Sequence, residues 1–576
     1  MKIQLNKNHL HLTTGNLDCI ISFDISVLSE EAAKLYKNDT LIEYEPLTLS
    51  HGFSHIEWSL EKNSQYFLIS ESDHTVLKNG WFYSKHTLLE SGGFCFSYQN
   101  KNWSIYHSLD NSRSYCDEKR LQYHFSPLTG WINDPNGLVY HKGYYHLFFQ
   151  YNPYQPHWGN MHWGHAISKD LVSWQHLPIA LYPSNNLNNR FIGGAFSGSA
   201  LSKDEELLIT YTDHFEDSQN SKDIFIEKQK IIKSDGITFS KPKTIINRSP
   251  NNYSKDFRDP KIWFCDLTQK FYLIIGSKAN NLPSIALYSS IDANDWTYEG
   301  ILFQEEKLKG RSIECPDLFM VDGVYVLVFS LFDTINNKNI NHRSYYYLGN
   351  FKKNKFIPTT KIYEIDFCNH FYALQTFKDK NMNRIGIAWM NNWSDNIFST
   401  QNHYAGAMSL PRKLSIKNNK LSMLPISQLK NIRTSQEVIF DFNQSFCQIE
   451  TNKKSFEIEC LFSFGIEWSM DFKSGKNIVL TILWTGSKII LKTKQKTCIS
   501  PYICKPNKRQ QIDASFFLDT TSIEAFIDNG TVCGSLRLEF SKNNNNITIC
   551  TTTKPSELFT GKLWELNSIW SNERDV

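Results

Sequence analysis

Along most of this chain apolar residues alternate with polar ones in short runs, and helix-type spacing is scarce. Clusters of Gly, Asn, Asp and Pro separate the runs, so the pattern predicts an all-β protein. In the middle of the chain the runs form a recurring unit. It consists of a turn with a polar or acidic residue, a strand, a short polar turn and a second strand. The unit reads DPNGLVYHKGYYHLFFQY from Asp134 and FSGSALSKDEELLITYTD from Phe196. It returns as RDPKIWFCDLTQKFYLIIGS from Arg258, ECPDLFMVDGVYVLVFSLF from Glu314 and FYALQTFKDKNMNRIGIAWM from Phe371. A period of roughly 55–65 residues in a β-rich chain predicts radial repetition, and five units fit a five-bladed β-propeller.

The flanks differ from this middle. From residue 426 onward, runs such as NIVLTILWTG and SIEAFIDNG, with turn signals about every ten residues, predict a C-terminal β-sandwich. The first 115 residues are strand-rich, with a helix expected near Glu30–Tyr36, and read as an extra N-terminal β-rich domain. Its role is open between binding carbohydrate and packing against the propeller, with packing favoured. The expected division is therefore 1–115, 116–425 and 426–576, which suits a chain too long for one core.

Composition narrows the function. Lys+Arg number 61 against Asp+Glu 58, so no basic excess exists to neutralise a nucleic-acid backbone, and nucleic acid is not an expected partner. No stretch approaches the length of an apolar membrane span, and the first residues carry no apolar leader, so a soluble cytoplasmic protein without a membrane partner is expected. The twelve cysteines lack metal-type pairing and read as reduced and mostly buried. Aromatic residues make up 14%, which suits sugar-stacking platforms but also any β-rich core.

If each repeat begins with its innermost strand, the residues at the starts converge on the central channel. Three starts carry a carboxylate: Asp134, Asp259 and Glu314. Each motif is weak alone, and DPNG by itself reads as a type I turn. Their placement at matching points of three repeats is far less easily accidental. Glycosidic hydrolysis needs two carboxyl groups flanking the bond, one to protonate the leaving oxygen and one to attack or to activate water. A third acid beside Arg258 suits gripping sugar hydroxyls, and the arginine should keep Asp259 ionised. In HWGNMHWGH, His157, His162 and His165 could be ligands, but the spacing offers no carboxylate partner, so no metal is expected. No cofactor is expected either.

The runs WINDPNGLVY, FFQYNPYQPHWGNMHWGHAISKDLVSW, FSGSA, FRDP and ECPDLF resemble glycoside hydrolase family 32, the invertase and fructanase family. The likeness continues through WMNNW and AGAMSLPRKL to IEAFIDNG and GKLWEL, covering roughly residues 120–576. It implies a five-bladed propeller followed by a sandwich, and a retaining mechanism on a small fructoside such as sucrose, sucrose 6-phosphate or a short fructan. By the same resemblance Asp134 is the nucleophile, Glu314 the acid/base and Asp259 the transition-state stabiliser. Asn133, Gln150, Trp158, Phe196, Ser197, Arg258 and Trp389 match positions lining the fructose pocket. These roles require hydrogen bonds that hold the pKa of Asp134 down, and burial that raises that of Glu314. A fructosyltransferase, or a non-catalytic fructoside-binding protein, are the alternatives; oligomeric state is not legible. The chain departs from the family pattern at His370 before FYA, at YTDH after the second unit, and at NNRFIGGA before FSGSA.

Overall fold

The computed structural model describes the chain apart from residues 7–8, 28–32, 38–39, 46–53, 71–74, 100–101, 111–114, 116–118, 185–190, 218–224, 307–311, 333–341, 394–403, 442–445, 452, 502, 539–546, 554–558 and 571–576. Its centre is a ring of five sheets, each built outward from its first long strand by antiparallel pairing, with the short Tyr404–Ala405 pairing parallel to that strand in the first. The innermost strands are Gly130–His141, Phe191–Lys203, Tyr253–Cys265, Ser312–Val321 and Tyr372–Lys378. Each touches the next around the ring, and the fifth closes on the first. The repeat read from the sequence is thus the blade, entered at its inner edge.

The inner strands share one irregularity. Each loses register with its neighbour at the same level: after Ile132, Phe196, Arg258, Glu314 and Tyr372. Such a bulge re-aims side chains and tolerates a proline that a regular central strand would reject. Pro135, Pro260 and Pro316 occupy these positions. Asp259, Cys315 and Ala373 adopt φ of 65°, 47° and 57°, the left-handed conformation of a bulge. This corrects the turn expected at DPNG, because Asp134–Gly137 lies inside a strand. Turn chemistry is present, but the neighbouring blades hold both flanks extended and convert it to a bulge. Packing at this level is tight: a Cβ at Gly198 would stand 2.0 Å from the Thr210 carbonyl oxygen.

Two six-stranded sheets follow, one from Arg433–Asp441 to Val532–Arg537 and the other from Phe446–Thr451 to Thr497–Ile499. Phe456, Met470, Trp484, Leu491 and Phe516 fill the space between them. This sandwich is fastened to the propeller by buried charge. Glu524 accepts from Arg412 Nη2 at 2.5 Å and from the Leu410 N–H at 2.7 Å, and pairs with His124 Nε2 at 3.0 Å. Asp519 meets the other ring nitrogen of His124 at 2.8 Å.

The N-terminal residues form a second sandwich of two five-stranded sheets, with Leu12, Phe23, Trp58, Leu68 and Phe82 between them. The helix expected near Glu30–Tyr36 is absent from its described part. Ala33–Lys37 is a strand paired on both sides, because its apolar Leu35 is taken into the sandwich core, while residues 30–32 lie outside the described set. The outer face of one sheet packs on blade one: Ile20, Trp81 and Tyr83 share a buried cluster with Ile167 and Leu177. Alternation explains this, since Ile21 faces the sandwich and Ile20 the propeller.

Candidate active site

The bulges bring the three blade-start acids together around one thiol. Cys315 Sγ lies 3.6 Å from Asp134 Oδ2 and 3.5 Å from Asp259 Oδ2. The Cys315 N–H donates to Asp259 Oδ2 at 2.8 Å, a bond that the left-handed Cys315 backbone makes available. Glu314, the preceding residue, is reached by two donors: Arg258 Nη1 to Oε1 at 3.1 Å and Tyr372 Oη to Oε2 at 2.7 Å. Asp134 Oδ2 accepts from Ser197 Oγ at 2.7 Å. Its Oδ1 is buried and accepts no hydrogen bond among the described residues.

Electrostatics follow from crowding three largely buried carboxyls together. Burial lifts Asp134 above the usual carboxylate range, opposed by hydrogen bonds from Ser197, Asn133 and Cys315 and by the charge of Arg258. The expectation that donors alone would hold it down is therefore corrected: desolvation outweighs them. Glu314 is also raised, by burial first, with Arg258 and Tyr372 pulling it down and Asp134 pushing it up. Asp259 is raised furthest from the ordinary range, by burial and then by the charges of Glu314 and Asp134, which outweigh the pull of Arg258. Arg258 opposes that rise without cancelling it. Its donors go elsewhere: Nε to Glu227 at 2.9 Å, Nη2 to Asp256 at 2.6 Å and Nη1 to Glu314.

The remaining expected residues divide into layers. Asn133 is buried and accepts from Trp131 Nε1 at 2.9 Å. Gln150 donates to the Ala195 carbonyl at 2.8 Å, tying blade one to the strand that carries Phe196 and Ser197. Phe196 stacks on His214, with centroids 4.1 Å apart and planes 7° apart. Trp158 stands 49% exposed at the rim, edge-on to Phe196 and to Trp393. Trp389 is wholly buried against Trp131, Tyr372 and Trp393, so Trp393 occupies the more accessible place in this wall. The three motif histidines do not meet. His157 is exposed, His162 shares a hydrogen bond with the Asn160 carbonyl, and His165 faces His146 inside the blades.

Sequence reasoning missed Tyr372, Glu227, His214 and Trp393. Tyr372 sits one residue into the fifth repeat, so aligning that repeat with the others would have found it. Glu227, in the strand Phe225–Ser234, has no motif around it, yet it anchors Arg258 and pairs with His214 at 3.1 Å. The departures have local explanations: His214 of YTDH is part of that anchor. His370 accepts the Arg537 N–H at 2.8 Å, on the sandwich side. Of NNRFIGGA, residues 188–190 lie outside the described set.

Because Tyr372 lowers the pKa of Glu314, Tyr372→Phe is expected to raise it. A group that works as an acid loses activity as pH rises through its pKa. The alkaline limb of kcat/KM should therefore move up, by about one pH unit for one lost hydrogen bond. A pH–rate profile checks this; a limb moving downward would contradict the assignment.

Three carboxyls gathered at the inner bulges of a five-bladed propeller, beside an aromatic rim, suit a glycoside hydrolase. Residues 124–425 match the model for the glycosyl hydrolases family 32 N-terminal domain, and the chain belongs to that family. A sucrose-6-phosphate hydrolase of Zymomonas mobilis is 33% identical over 433 residues, 70% of this chain and 83% of its own length. A family 32 glycoside hydrolase structure from Bifidobacterium adolescentis superposes with TM-score 0.83 at 23% identity, covering 98% of this chain and all of its own. A sucrose-6-phosphate hydrolase structure from Lactobacillus gasseri gives TM-score 0.68 at 27% identity, covering 80% of this chain and 96% of its own. No helix among the described residues is long and apolar enough to cross a membrane.

Proposed function

We propose that the protein is a retaining β-fructofuranosidase that hydrolyses terminal β-D-fructofuranosyl bonds in sucrose, sucrose 6-phosphate or short fructans. The observation that carries the reading is the convergence of Asp134, Asp259 and Glu314 on Cys315 at the inner bulges. In this reading the Asp134 carboxylate attacks the anomeric carbon while Glu314 gives its proton to the departing glycosidic oxygen. A fructosyl ester to Asp134 forms as that bond breaks. Glu314, now without its proton, stays ionised beside the esterified and uncharged Asp134 and takes a proton from the attacking water. The hydroxide so formed at the anomeric carbon releases fructose and restores the carboxylate. Asp259, beside these two acids, hydrogen-bonds fructose hydroxyls. Arg258, locked by Glu227 and Asp256, keeps Glu314 aimed. Asn133, Gln150, Phe196 and Ser197 shape the floor of the pocket, with Trp158, and Trp389 through Trp393, forming its wall.

The relatives named above as sucrose-6-phosphate hydrolases support a sucrose-type substrate. We further propose the three-unit division 1–115, 116–425 and 426–576, and a cytoplasmic setting, in keeping with the nine free cysteines among the described residues. Purified protein should release free fructose from at least one of sucrose, sucrose 6-phosphate and inulin, and the relative rates rank the substrates. Absence of fructose from all three would overturn the reading.

A further inference from the structure

We propose that the N-terminal sandwich is a positioning element for the active site, acting through Asn79 on the loop that presents Trp158. The inference rests on the reading of Trp158 as part of the sugar pocket. Asn79 lies in strand Thr75–Tyr83, where the pairing slips between Leu77 and Gly80. Its φ of 47° turns the amide outward, toward blade one. There Nδ2 donates to the Pro153 carbonyl at 3.2 Å, and Oδ1 accepts from Tyr151 Oη at 3.3 Å. Gly80 permits this bulge, since a Cβ there would stand 2.2 Å from the Phe96 ring.

Pro153 opens the segment 153–160, which leads from the second strand of blade one to the third. Within it, buried Asn152 donates to the His157 carbonyl at 2.8 Å and accepts the Tyr154 N–H at 3.1 Å. The loop is therefore cross-braced from its entry to the residue before Trp158. A second hold comes from the same sandwich: the His55 ring lies 3.9 Å from that of Tyr182, which in turn meets the His162 ring edge-on at 5.4 Å. His162 bonds the Asn160 carbonyl at 2.5 Å, fixing the exit of the loop. Trp158 itself is half exposed, with its neighbours Phe196 and Trp393 at 6.1 and 6.4 Å between centroids. A ring so lightly packed takes its orientation from its backbone, and small displacements of a substrate wall weaken transition-state binding.

A double-mutant cycle tests the link. Asn79→Gly removes the amide without strain, since glycine accepts the same φ. In the native background it should lower kcat/KM on sucrose by about fivefold, chiefly through KM, which matches loss of the hydrogen bond to the Pro153 carbonyl that holds the loop. In the Trp158→Ala background the same change should cost less than about twofold. Thermal unfolding of each variant accompanies the kinetics. An equal loss in both backgrounds would show a merely structural role and overturn the inference. Wild-type kcat/KM in Asn79→Gly beside an impaired Trp158→Ala would overturn the inference alone. Unchanged kcat/KM in Trp158→Ala would instead overturn the pocket assignment, and this inference with it.

Discussion

Asp134→Asn is expected to reduce turnover on sucrose by roughly a thousandfold or more while leaving the protein folded. The amide is nearly the same shape and can still accept the Ser197 hydroxyl through its carbonyl oxygen, but it cannot form the ester. Stability should hold or rise, because burial already disfavours the charge on this carboxyl, and the neutral amide avoids that cost. The negative charge of Asp134 also lifts Glu314 and Asp259, so its removal should let both ionise at lower pH. Glu314→Gln is expected to lose activity on a similar scale for sucrose, whose leaving oxygen needs a proton. It should lose less on a fructoside with an activated leaving group such as nitrophenol, which departs unprotonated. Steady-state kinetics on the two substrate types separate the roles. Full activity of either variant on sucrose would remove that residue from the mechanism.

The second large effect concerns stability. Glu524→Ala should destabilise the protein by about 3–5 kcal/mol, because it strands Arg412 in a site with no solvent. Arg412 is completely buried, and Asp366, at 3.9 Å, is too far for a strong replacement bond. The Leu410 N–H and one nitrogen of His124 lose their acceptor at the same time. Thermal unfolding should begin on the order of 10 °C earlier. Weakening should start where the sandwich meets the propeller, so limited proteolysis should release the C-terminal part first. A variant melting with the native protein would mean that this ionic cluster contributes little. Glu524 belongs to the IEAFIDNG run, so this part of the sequence resemblance reports the fastening of two units.

Much of the architecture was legible because its cause is local. Alternation of apolar and polar residues dictates strands whatever surrounds them, and the return of one strand–turn–strand pattern five times implies a ring. The candidate acids could be picked out because three repeats begin with carboxylates at equivalent points, as Asp134, Asp259 and Glu314 do. What failed was conformational detail that neighbours decide. DPNG carries every feature of a turn, yet adjacent blades hold it within a strand and make it a bulge. The segment around Ala33–Lys37 looks helical in isolation, but Leu35 gains more by filling the sandwich core.

The electrostatics were likewise beyond the chain itself. Adjacency in FRDP suggests that Arg258 serves Asp259, whereas the fold turns its guanidinium to Glu227, Asp256 and Glu314. Glu227 arrives from another blade and has no signature of its own. The sequence by itself determined the strands, the count of blades and the identity of the converging acids, since these depend on residue type and period. Only the tertiary structure decided how burial shifts each carboxyl, which donor meets which carboxyl and what the N-terminal sandwich holds. Those depend on distance and desolvation, which arise when segments far apart in the chain are buried together.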